Sequence, residues 1–209
     1  MRATGIVMGL AVVLAGVPAY AVSQTEFSQT INTGVLSSTI LDASQNPVAS
    51  PALTMSALTT SMQCQTSTGT YGTDSQRIYV ENPGASAGGW VLSVAATGGS
   101  SAEWSDGGSE QYSFNSGAGS GCTDGQMTLD PSAGTVTPQN PATSTGISKG
   151  AQASFVAGSV DSIELVNASA SSDDYWFGYI RDIGVSQKVP AGTPAGTYAI
   201  DLTQTVVAQ

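Results

Sequence analysis

Hydrophobic and polar residues alternate along this chain in short runs, broken so often by Gly, Pro, Asn and Ser that strands fit them better than helices. The clearest run sets Trp90, Leu92, Val94 and Ala96 on one face and Ser93 and Thr97 on the other, which predicts a strand lining a core over 90–96. Further strands are predicted at 53–62, 76–81, 126–129, 153–156 and 162–166, the third stopped by Asp130-Pro131. Residues 175–185 are aromatic and β-branched. After them Pro190 to Gly196 reads as a turn, and Tyr198, Ile200, Leu202 and Val206 alternate with Asp201, Thr203 and Thr205, which predicts a terminal hairpin. The polar stretch 98–125 predicts a long loop holding a short strand at 111–114, and 132–150 a connection without periodicity. Near the start, Phe27, Ile31, Val35 and Leu36 punctuate a Thr-containing stretch interrupted by Gly34, which favours extended structure over a helix. Together these elements predict an all-β fold, an antiparallel β-sandwich of the Ig-like or Greek-key type with long Gly/Ser-rich loops.

The ends and the charge balance refine this picture. Met1 and Arg2 precede an apolar run from Gly5 to Val17, and Ala19-Tyr20-Ala21 supplies a small-x-small site, so residues 1–21 read as a signal peptide cut after Ala21. Residues 22–50 then form an N-terminal extension or first strand, and 51–209 the sandwich domain. Later in the chain no run is long and apolar enough to predict a membrane span. The full chain carries a net charge of −10; cleavage would take Arg2, leaving four cations against fifteen acids, a net −11. So few, scattered cations exclude a phosphate-binding footprint and hence nucleic acid as a partner. Cys64 and Cys122, 58 residues apart, make an even pair in an exported chain and predict a disulfide.

Two segments resemble a known family. Gly89-Trp90-Val91-Leu92-Ser93-Val94 and the stretch from Val189 to Tyr198, VPAGTPAGTY, look like the WxL domain of bacterial cell-surface proteins. The resemblance implies a secreted β-sandwich that attaches non-covalently to the cell wall, with Trp90, Leu92 and Tyr198 as motif residues of its core. The family's second Trp-x-Leu, in the final strand, has no counterpart, because that strand reads DLTQTVV from Asp201 to Val207. The Ala-Gly-Thr-Tyr ending is also similar to the last strand of spore-coat-U-like and other fibre-forming pilin domains.

Candidate chemistry is narrow. Histidine is absent from the chain, which removes the usual general base and metal ligand and every Ser-His or Cys-His nucleophile. The neighbouring carboxylates Asp173/Asp174 and Glu103/Asp106 read as solvated rather than as an acid–base pair, so no enzyme is expected. Glu103, Asp106, Asp124 and Asp130, among glycines, are candidate oxygen ligands for calcium, although no Asp-x-Asp-x-Asp-Gly loop is present. Trp104, Tyr112, Tyr175 and Trp176 are candidate contacts for glycan or wall polymer, since aromatic rings beside polar loops grip sugar faces. Asn167-Ala168-Ser169 matches an N-glycosylation acceptor.

The expectation is a secreted, non-catalytic protein at the cell surface, partnered by cell-wall polymer or other surface proteins. The alternative is a subunit of a surface fibre or coat, self-assembled by an extension over 22–42 that adds a strand to a neighbour's open sheet.

Overall fold

The computed structural model describes residues 28–32, 34–117 and 119–209. The expectations of a signal peptide over 1–21 and of extended structure at Phe27 lie outside the described residues. Residues 28–32 belong to one unit of the chain and 33–209 to a second, which holds the strands.

The strands follow as β1 (Ser37–Leu41), β2 (Gln65–Tyr71), β3 (Arg77–Pro83), β4 (Trp90–Ala96), β5 (Glu103–Ser105), β6 (Gln111–Ser113), β7 (Gln126–Asp130), β8 (Thr135–Pro138), β9 (Ile147–Lys149), β10 (Ala153–Ser154), β11 (Ser162–Ala168), β12 (Tyr175–Arg181), β13 (Ile183–Val189) and β14 (Leu202–Ala208). A single turn of helix, α1 (Gly121–Asp124), precedes β7. Every pairing is antiparallel. Three four-stranded sheets run β1-β3-β12-β8, β10-β7-β13-β2 and β14-β4-β11-β9, with β5-β6 as a separate hairpin. The expected all-β sandwich is the fold observed.

The first two sheets share their spine. β12 passes into β13 through Asp182 alone, and β2 and β3 run along the same path on one side, with Tyr71 opposite Ile183 and Ile78 opposite Ile180. At the joint Asp182 has φ 63°, and its N–H donates to Gly72 O at 2.7 Å. Aspartate tolerates this left-handed conformation better than most residues. The step matters because side chains alternate with period two: Trp176, Gly178 and Ile180 are buried before it, Ile183, Val185 and Gln187 after it. One irregular residue therefore keeps both halves of the long strand facing inward.

β4 shows the predicted alternation, with Trp90, Leu92, Val94 and Ala96 buried and the residues between them half-buried. Its Trp90 packs on Trp176 from the β12 sheet, ring centroids 5.1 Å apart. Gly178 makes room for this pair: a Cβ there would lie 2.6 Å from the Trp176 ring. Ile78, Val80, Ile163, Leu165, Val166 and Ile180 complete this part of the core.

Four expectations need correction. Residues 53–62 form no strand; Ser56 N–H donates to Thr68 O, but Thr68 N–H turns to the Ser56 hydroxyl, so a side chain takes the place of a backbone partner and the ladder stops there. The stretch 132–150 holds β8 and β9, short strands recruited by β12 and β11 rather than by any pattern of their own. The loop over 98–125 holds the short strand expected at 111–114, which is β6, but also β5, with which it forms a hairpin, and α1. Finally, β13 and β14 are not a hairpin, because β13 pairs with β2 and β7 while β14 pairs with β4, so residues 190–201 cross from one sheet to another.

Candidate functional site

Across the inner face of the β13 sheet lies a trough with two irregular walls. One wall is the strap over 51–63, the other the crossover over 190–201. Gly192 N–H donates to Ser61 O at 2.8 Å and ties the two together. The strap ends at Cys64, which is disulfide-bonded to Cys122 in α1, as the sequence predicted. Both cysteines of the chain are thus used to hold one wall of the trough.

The hairpin β5–β6 forms the back of the trough. Trp104 and Tyr112 are direct cross-strand partners, and their rings stack with centroids 6.2 Å apart at 12°. Tyr198 from the crossover meets Tyr112 at 5.2 Å, held there because Ser105 and Ala199 exchange two backbone hydrogen bonds. Trp104 Nε1 donates to Gln187 Oε1 at 2.8 Å, and Gln187 Nε2 donates to Ser113 O and Lys188 O. Buried Gln187 therefore satisfies every polar group it brings inside and locks the Trp104 indole in place. Tyr198 Oη donates to Pro194 O at 3.1 Å.

The outer part of the trough is an open groove of about 730 Å³ between Ser, Thr, Gln, Pro, Ala and Gly positions, the aliphatic Leu53, Met55, Leu58 and Val189, and the rings of Trp104, Tyr112 and Tyr198. Among the described residues no Asp, Glu, Lys or Arg lines it. Trp104, Tyr198, Leu53 and Met55 also line an adjoining open pocket of about 320 Å³, bordered by exposed Pro51 and Ala52, that reaches Met127, Leu129, Val185, Ile200 and Leu202, with Asp201 its one charged side chain among the described residues. Burial pushes the Tyr112 phenol up to about 12, with Tyr198 adding to the rise. Tyr198 is raised by desolvation and then by the carboxylates of Asp106 and Glu110 near the rim.

No family model, curated protein or solved structure matches the chain. The site is therefore interpreted from its own geometry.

Of the candidate glycan contacts, Trp104 and Tyr112 come together at the trough, although Trp104 is only 9% exposed and belongs to the core, while Tyr175 and Trp176 do not join them. Tyr175 is 69% exposed, with its ring over Gly84. Trp176 is buried against Trp90, and its Nε1 donates to Thr143 O. Trp90 and Leu92 are core residues, whereas Tyr198, expected with them, is half-buried and lines the trough.

The candidate calcium ligands are dispersed. Asp106 Oδ1 accepts from Gly108 and Glu110 N–H groups, Asp130 Oδ1 accepts from Ala133 N–H, Glu103 is exposed on β5 and Asp124 ends α1. Among the described residues no three metal-binding side chains cluster. Missing from the sequence reading were the strap, the crossover as a wall, and Gln187. A signal for Gln187 existed: it is the polar member of the inward series Ile183, Val185, Gln187.

Proposed function

We propose that this chain is a non-catalytic protein of the cell surface that associates non-covalently with envelope or wall polymer through the trough. The observation that carries the reading is the lining of the outer trough, which among the described residues holds three aromatic rings, the aliphatic Leu53, Met55, Leu58 and Val189, many hydroxyl and amide groups and no charge, in a chain whose net charge is −10. Such a wall suits an extended, uncharged, hydroxyl-rich polymer, which offers apolar ring faces to aromatics and hydroxyls to Ser, Thr and backbone groups. Asp106 and Glu110 at the rim disfavour a polyanion.

Sedimentation of the exported chain with purified cell wall tests this. Binding should persist almost unchanged from low salt to about 1 M NaCl, because contacts without charge are not screened. Tyr198→Ala should weaken it at least about tenfold, the loss of roughly 1.4 kcal/mol that one good aromatic contact supplies. Failure to sediment at any salt concentration, or binding abolished by salt, would overturn the reading.

A further inference from the structure

The pocket beside the outer groove opens onto the apolar core. Its floor is Met127, Leu129 and Val185 on β7 and β13, with Leu129 and Val185 direct cross-strand partners. None of the three is more than 7% exposed, so the opening reaches residues that belong to the interior. Ile40 of β1 and Leu202 of β14, end strands of the two other four-stranded sheets, also line it. The pocket is thus a gap left where three sheets come together.

The strap does not fill that gap. Leu53 Cδ2 and Met55 Sδ lie against Gly69 of β2, where a Cβ would stand 2.8 Å from each, so glycine lets both side chains rest on the strand. The mouth at Pro51 and Ala52 stays open. Two of the lining polar groups already have partners: the Tyr71 hydroxyl donates to Gln204 Oε1 at 2.9 Å, and Gln76 Oε1 accepts from Ala52 N–H at 2.7 Å. What the pocket offers a ligand is chiefly apolar contact.

Size and charge choose the occupant. About 320 Å³ holds an aliphatic chain of up to about ten carbons at the packing density of protein interiors. Met55 and Met127 are adaptable walls for such a chain. A free fatty acid is disfavoured, because the one charged side chain lining the pocket among the described residues is the carboxylate of Asp201. Trp104, Tyr198, Leu53 and Met55 line both pocket and groove, so a chain in the pocket can be a branch of what lies in the groove.

We propose that the pocket takes an acyl chain carried as an ester by the hydroxyl-rich polymer in the outer groove. The inference rests on the reading of the groove as a polymer site and names a substituent that the site selects.

Alkyl glucosides of rising chain length, kept below micelle formation, test it by calorimetric titration of the full chain. Affinity should rise about three- to fourfold per added methylene and level off near ten carbons, while glucose alone gives no signal in that range. Octanoate should bind at least about tenfold more weakly than octyl glucoside, and Asp201→Asn should narrow the gap. Ala52→Trp puts a large ring at the mouth from an exposed position, so the circular dichroism spectrum should be unchanged and the alkyl response lost. Mild alkali, which removes ester-linked acyl groups from purified wall, should lower sedimentation of the wild type severalfold, to the level that Ala52→Trp shows on either wall. No dependence on chain length, an alkyl response intact in Ala52→Trp, or sedimentation indifferent to alkali would overturn the proposal. Binding to phosphatidylcholine vesicles in place of wall would also overturn it, by putting the acyl chain in a membrane. Wall sedimentation without alkyl binding removes only this inference, whereas alkyl binding without wall sedimentation removes the polymer reading and leaves a pocket for aliphatic chains.

Discussion

The two halves of the interior are built on opposite terms. Around Trp90 the β4 and β12 sheets interdigitate, with Trp90, Leu92 and Ile78 fully buried and Trp90 against Trp176 at 5.1 Å. Around Trp104 the β13 sheet is covered by a strap, a crossover and a two-stranded hairpin, and space remains between them. Regular sheets present side chains at fixed spacing and can fill the gap between them. Irregular segments satisfy their backbone through side chains such as Ser56, and what they leave open becomes a site. Both halves belong to one core, in which Leu129, Phe155 and Ile183 are as buried as Trp90, but only the second leaves a trough, the surface proposed here for binding.

This contrast can be broken most sharply by truncation in the filled half. Trp90→Ala should cost about 3–5 kcal/mol or abolish folding, read by denaturant unfolding, because the surrounding sheets cannot collapse into the void. Met55→Ala, on the trough wall, should cost under about 1 kcal/mol, since Met55 is only partly buried and already borders open space. Equal costs would erase the distinction.

Loss of the disulfide comes next. Replacing Cys64 and Cys122 with Ser should cost roughly 4 kcal/mol from the 58-residue loop it closes. Amide exchange should then accelerate in the strap and α1 before it does in β4 or β11. Enlargement should repeat the order seen on truncation: Val94→Phe in the filled half should destabilise by about 1–3 kcal/mol, while Leu53→Phe at the trough stays within about 0.5 kcal/mol. The smallest effect is a titration. Burial favours the neutral Tyr112 phenol, so the folded chain keeps a proton that the unfolded chain releases above about 10. The stability this supplies is intact below pH 10 and is lost as pH rises toward 12, which phenolate absorbance beside an unfolding curve will show. Tyr112→Phe should lessen that slope, and what is left belongs to Tyr71 and Tyr198, whose phenols burial also raises.

The filled half was legible in the sequence because its strands are regular. Trp90, Leu92, Val94 and Ala96 announce their own inward face, and the Cys64–Cys122 pairing needed only an even count of two cysteines. The trough was half legible. Trp104 and Tyr112 stood out as aromatics among glycines and serines, but the register that pairs them belongs to a hairpin whose strands are three residues each, too short for a period to show. Pro190 to Gly196 looked like a hairpin turn because turn residues mark a change of direction without saying which strand follows as partner. Here the next strand joins β4 in another sheet, and that long-range choice turns the segment into a wall of the site.

The account's central claim, that the trough is where the molecule binds, is tested most directly by amide hydrogen exchange of the chain with and without solubilised wall fragments. Protection should appear in the strap over 51–63, the β5–β6 hairpin and the crossover over 190–201, with β4 and β11 unchanged. Protection confined to the other sheets, or none at saturating fragment, would contradict it.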